Sequence, residues 1–120
     1  MGNLLMEVVG KKFNVRFDTQ RATIFFSGIL DARGKEGYQP ILDLFDAVVE
    51  RQPELITLDV RQLEFLNSSG ITAIGSGLVI KVRNKGCSRL AICCSEKYPW
   101  QKRSMKGISR LMPGVELKYE

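Results

Sequence analysis

The chain contains no histidine among its 120 residues. That absence removes the usual general base of serine and cysteine nucleophiles, and with it the triad hydrolases. Cysteine is scarce as well. Cys87, Cys93 and Cys94 make no C-x-x-C pair, and with no histidine beside them neither a metal site nor a cofactor is expected. They read as small buried hydrophobes in a reducing compartment, with Cys93 and Cys94 pointing to opposite faces of a strand. No apolar run approaches the roughly 20 residues of a membrane span, and the first residues lack a signal-peptide core. A cytoplasmic protein without membrane insertion is therefore expected. Internal repeats, low-complexity tracts and linker-like runs are missing too. The reading is one domain over residues 1–120, its first roughly 12 residues an extra strand or arm.

What is present suits a single core: 44% hydrophobic and 26% charged residues, near globular averages. A net charge of +5 invites a nucleic-acid reading, but the cations look scattered and Trp100 is the only candidate for a stacking platform. Arg103, Lys106 and Arg110 do share one helical face by i, i+3, i+7 spacing, a stripe able to meet an acidic protein or a phosphate backbone, though a solvated face is the plainer reading. No direct nucleic-acid partner is expected, and a nucleic-acid-binding module ranks third among the functions weighed.

The order of elements carries the fold. Phe13–Asp18 and Ala22–Leu30 read as two strands of a hairpin turning at Thr19-Gln20-Arg21. Gly34, Gly37 and Pro40 punctuate a loop before an amphipathic helix carrying Ile41, Leu44, Phe45, Val48 and Val49, ended by Pro53. A strand over Leu55–Val60 follows, then a helix with Ile71, Ile74, Leu78 and Val82 on one stripe, stopped at Gly86. Arg89–Cys94 reads as a strand, Pro99 to Pro113-Gly114 brackets a last helix with Met105, Ile108 and Met112 inward, and Val115–Tyr119 is an edge strand. Strands alternating with helices need crossover connections, which predicts an α/β fold with a mixed, mostly parallel sheet and an antiparallel edge.

The boundary Asn67-Ser68-Ser69-Gly70 is the most informative stretch, because it sets two serines where a strand periodicity gives way to a helical one. The helix is expected to start within a residue or two of Ser69. Asn and Ser are favoured N-caps, and capping is the plainer account of them. The same terminus also welcomes a phosphate on Ser68 or Ser69 through its free N–H groups and dipole. Gly70 and Gly75 begin a Walker A pattern, but Ser76 occupies the place of the lysine, so no nucleotide loop is completed. Gly75, Ser76 and Gly77 inside a helix indicate either close packing or a shallow surface for a partner's helix.

The segment from Leu55 to Val82 resembles the central motif of the STAS family, bacterial anti-sigma-factor antagonists among its members. The matching residues are Leu58, Asp59 and Val60 on the strand, Leu63 and Phe65 in the turn, and Asn67-Ser68-Ser69-Gly70-Ile71 at the helix entry. Ser27-Gly28-Ile29-Leu30-Asp31 is similar to the family's Gly-Glu-Leu-Asp strand end. The sequence departs from the family at Asn67, where many members carry Asp. The resemblance implies a STAS-like domain with helices on one face of the sheet. It also implies a bacterial regulatory phosphoprotein that switches partners in transcription control. In that family the unphosphorylated protein binds an anti-sigma factor that is also a serine kinase, phosphorylation of the first serine releases it, and a phosphatase resets it. Ser68 is the matching serine, with Ser69 the alternative by one register step. The partner-binding set is Asp31, Asn67, Ser69, Gly70, Ile71 and Gly75, although a turn former is the plainer reading of Asp31. The chain is then a kinase substrate and not an enzyme. The alternative within the same resemblance is a cytoplasmic STAS subunit of a lipid or anion transport system.

Overall fold

Alternation along the strands decides which way the sheet faces. In the computed structural model, which describes residues 6–120, Val15, Phe17, Ile24 and Phe26 are buried on one side of strands β2 (Phe13–Asp18) and β3 (Thr23–Leu30). Arg16 lies over the Phe25 ring at 4.4 Å on the other side. Strand β1 (Met6–Val9) precedes them, and the first five residues, part of the expected strand or arm, lie outside the described ones. Then come helix α1 (Gly34–Glu50), strand β4 (Leu55–Leu66), helix α2 (Ser68–Ile74), a π-helical segment (Gly75–Val79), helix α3 (Ile80–Lys85), strand β5 (Arg89–Cys94), helix α4 (Pro99–Ser109) and strand β6 (Glu116–Tyr119).

The six strands stand in sequence order, β1-β2-β3-β4-β5-β6. The first two pairings are antiparallel and the last three parallel. Each parallel step to the next neighbour needs a right-handed crossover, and steps in one direction put every helix on one face. The helices accordingly pack on one another, α1 against α2 and the π segment, and α4 against both. Their inward residues, including Phe45, Val48, Ile74, Leu78 and Ile108, close one core with Ile56, Leu58, Leu90 and Ile92 from the sheet. The opposite face mixes apolar residues, Phe25, Ala91 and Cys93, with polar groups. There Arg61 forks onto Asp59 (Nη2–Oδ2 2.7 Å) and reaches Glu120 (2.9 Å), tying β4 to the last residue; the Asp59 bonds raise the guanidinium pKa further.

Four local expectations are corrected. The loop assigned to Gly34–Pro40 is the start of α1, with Pro40 inside the helix. Its breakers are overridden because Tyr38, 2% exposed, is drawn into the core. Leu63 and Phe65 belong to β4 and not to a turn, since β4 keeps pairing with β3 through two register shifts as far as Leu30↔Leu66. The helix after Ser68 contains a π segment at its small residues, where α1 comes so close that a Cβ on Gly77 would stand 2.4 Å from Leu42 Cδ2. Cys87 is exposed, whereas Cys94 is buried, its thiol pushed up to about 11 chiefly by burial and so held as the unreactive thiol at neutral pH.

Candidate partner-binding site

Asn67 organises the junction of β4 and α2. It is the N-cap of α2, its Oδ1 accepting from the Gly70 N–H (2.9 Å). The same oxygen accepts from the Tyr38 hydroxyl (2.7 Å), while Nδ2 donates to the Ala32 carbonyl (2.8 Å). One side chain therefore joins the starts of α1 and α2 to the end of β3, where the Asn67 N–H also donates to the Leu30 carbonyl (3.1 Å). Tyr38 is held as a donor: burial, with a smaller effect from Asp31, pushes its pKa up to about 12 from the usual 10. This stabilising proton is fully in place below pH about 10 and is lost as pH climbs towards 12.

With the cap supplied by Asn67, the serines are free of that duty. Ser68 is the first residue of α2 and is exposed; Ser69 is half-buried. Neither hydroxyl has a hydrogen-bond partner among the described residues. Ser68 shares one rim with Thr72 and Ser76, exposed hydroxyls at i, i+4, i+8. That rim borders an open groove of about 690 Å³ between α1 and the α2–α3 stretch, with Lys35 and Gln39 along the α1 side and Lys81 at the far end. Gly70 is buried and faces inward, where a Cβ would stand 2.3 Å from Leu66 Cδ1 and 2.6 Å from the Tyr38 hydroxyl, so it serves close packing and not access. Ile71 is half-buried and Gly75 buried, both on the α4 side of the helix. Asp31 is exposed beyond β3 and pairs with Lys12 (3.0 Å) instead of capping its own turn. Sequence reasoning missed Tyr38, hidden by its Gly and Pro neighbours, and the Thr72–Ser76 continuation, for which the four-residue hydroxyl spacing was a usable signal.

Asn67 explains its own departure from the Asp of related motifs. An aspartate would keep the Gly70 and Tyr38 bonds but set a second oxygen against the Ala32 carbonyl, 2.8 Å away. Asn67→Asp is expected to lower stability at neutral pH by about 1–3 kcal/mol in urea unfolding. A protonated carboxyl can donate to that carbonyl, so its folded pKa rises above the unfolded value near 3.9. The deficit is then full above the folded pKa and shrinks as pH falls through it. An equal deficit at neutral and mildly acid pH would place the cost elsewhere.

Among the described residues no group of three His, Cys, Asp or Glu side chains is arranged to hold a metal ion, and no helix is long and apolar enough to cross a membrane. No protein-family model matches the chain, and no curated protein matches it. Solved structures do. A chain of the crystal structure of the diguanylate cyclase SiaD in complex with its activator SiaC, from Pseudomonas aeruginosa, superposes with a TM-score of 0.71 at 15% identity, covering 98% of this chain and 100% of that one. Apo-SiaC from the same organism gives 0.71 at 12% identity, covering 98% and 99%. The fold is that of SiaC. At such identities the likeness to SiaC is one of architecture, and it bears out the STAS-like α/β sandwich expected from the Leu55–Val82 motif.

Proposed function

We propose that the chain is a partner-switching regulatory module that acts by binding another protein, through the surface around Ser68, and that phosphorylation of Ser68 sets whether the partner binds. The observation that carries this reading is the division of labour at the helix entry. Asn67 performs the capping, which leaves the Ser68 hydroxyl exposed and unbonded at the rim of the α1–α2 groove. A phosphate there brings about −1.5 to −2 charges to a rim made of the neutral hydroxyls of Ser68, Thr72 and Ser76, in a groove that Lys35, Asp46 and Lys81 also line. SiaC, with the same fold, is the activator of a diguanylate cyclase and is crystallised in complex with it. That likeness supports a diguanylate cyclase as the partner class in preference to the anti-sigma factor of the STAS resemblance. The serine kinase and phosphatase of that resemblance are retained as the enzymes that write and erase the mark, in the cytoplasm.

The test is titration of the purified protein and its Ser68 variants against a diguanylate cyclase of the source organism. Ser68→Ala should bind as the parent does, resist labelling by the kinase and, because it is not the cap, keep its stability within about 0.5 kcal/mol. Ser68→Glu should fold equally well and bind about tenfold or more weakly through desolvation and repulsion at the interface. Unchanged affinity in Ser68→Glu would sink the switch. Labelling that survives Ser68→Ala but not Ser69→Ala would move it by one residue.

A further inference from the structure

All of the excess positive charge sits on one segment. Lys97, Lys102, Arg103, Lys106 and Arg110 fall between residues 97 and 115 with no acid among them, and removing those five from the 18 cations leaves 13 against 13 acids. Four stand on α4 or at its C-cap, all exposed. Among the described residues none of these four has a carboxylate within ion-pair distance, whereas Lys12, Lys81 and Lys85 each have one and Arg61 has two. Unneutralised charge concentrated on one helix produces a directed local potential, which the same charge spread over the molecule would not.

This helix forms one bank of a second groove, between α4 and the α2–π stretch, on the side of α2 away from α1. Its apolar lining is Ile71, Ile108 and Leu111, and Arg103 stands on its rim. The groove is open because its walls carry glycine: a Cβ on Gly107 would meet nothing within 4 Å, and one on Gly75 only Leu111 Cδ1 at 3.0 Å. At the far end Arg83 donates to the Leu111 carbonyl (3.2 Å), adding a further cation. An apolar trough with a cationic bank matches a helix that is apolar on one stripe and acidic beside it.

We infer that the α2–α4 groove takes an acidic amphipathic helix of a protein partner, its apolar stripe on Ile71 and Leu111 and its carboxylates against Arg103, Lys106 and Arg110. Nucleic acid fits less well. The single indole, Trp100, is half-buried with its N–H bonded to the Glu64 carbonyl (2.8 Å), and Tyr98 lies under Lys97, so neither aromatic of this segment is a free stacking platform beside the cations. A bilayer surface needs apolar side chains projecting outward, and here they line a concavity.

The experiment leaves Ser68 unmodified, so that its outcome is independent of the switch proposed above. The probe is a fluorescein-labelled peptide of roughly 18 residues, five helical turns, with leucines at i, i+3, i+7 spacing flanked by glutamates. A peptide of the same composition with the leucines scrambled is the control, and binding is followed by anisotropy in low and high salt. Saturable binding of the patterned peptide is expected, weakened by salt and about tenfold or more by Arg103→Glu/Lys106→Glu. Gly107→Trp should block it as strongly by filling the groove, while melting temperature confirms that each variant folds. If the charge-reversed pair fails to fold, the neutral pair Arg103→Gln/Lys106→Gln decides in its place. Absence of saturable binding, equal binding of the scrambled peptide, or equal affinity of the variants would overturn the inference. So would tighter binding of duplex DNA or of phosphatidylglycerol vesicles, which would assign the cations to those surfaces instead.

Discussion

Gln101→Leu should destabilise the protein by about 3–5 kcal/mol, although the change is conservative in size and increases hydrophobicity. The glutamine is fully buried on the inward face of α4 beside Met105 and Ile108. Its amide nitrogen donates to the carbonyls of Val60 (2.6 Å) and Leu63 (2.8 Å), and its oxygen accepts from the Ser95 N–H (2.8 Å). These backbone groups need a side chain because the sheet runs out of strand. β5 pairs with β4 only as far as Asp59↔Cys93, while β4 continues to Leu66 along β3. Gln101 thus stands in for the missing strand, and leucine would leave two buried carbonyls and a part-buried N–H unpaired. Chemical denaturation of the variant measures the loss, and Gln101→Glu supplies the control: it keeps the acceptor for Ser95 but sets a second oxygen against two carbonyls, so it should be at least as damaging at neutral pH. A loss below about 1 kcal/mol in Gln101→Leu would mean that water replaces the amide and that the end of β4 does not depend on α4.

That dependence bears on how far the molecule is legible from its residues. Elements with an uninterrupted period were readable: the alternation of Val15 and Phe17, the stripe Ile41–Val49, the stripe Ile74, Leu78 and Val82, and Gly86 at φ 72° ending α3. What failed was set by partners distant in sequence. Tyr38 makes a helix of a stretch containing Gly37 and Pro40 because its hydroxyl bonds Asn67, 29 residues on. Gln101 lets β4 outrun β5 through contacts 38 and 41 residues away. No local window contains either pair. The concentration of charge on α4 was legible in principle, but only by counting both signs segment by segment; a scan of cations alone finds Lys12 and Lys81 as well, whose neutralising acids, Asp31 and Asp46, lie far along the chain. The serines of the site were legible as a boundary. Which residue caps and which is free required Asn67's three bonds.

Those bonds rest in turn on Gly70, and Gly70→Ala is expected to cost about 2–3 kcal/mol, against a helix-propensity gain of up to about 1 kcal/mol. The added methyl would meet Leu66 Cδ1 at 2.3 Å and the Tyr38 hydroxyl at 2.6 Å. Leu66 is 6% exposed and Tyr38 2% exposed, so neither has a free direction in which to retreat. Moving the tyrosine also breaks its bond to Asn67, which loosens the cap that leaves Ser68 free. The collision can be assigned by a double-mutant cycle. Tyr38→Phe alone removes the hydroxyl and should cost about 1–2 kcal/mol through its lost bond to the Asn67 oxygen, which keeps only the Gly70 N–H. In its presence Gly70→Ala meets only Leu66, so the double variant should lose less than the two single losses combined, by about 1 kcal/mol. Strict additivity would show that Leu66 alone resists the methyl. The cap would then be insulated from the packing beneath it, and Gly70→Ala, unlike Asn67 substitutions, would leave the helix entry at Ser68 untouched.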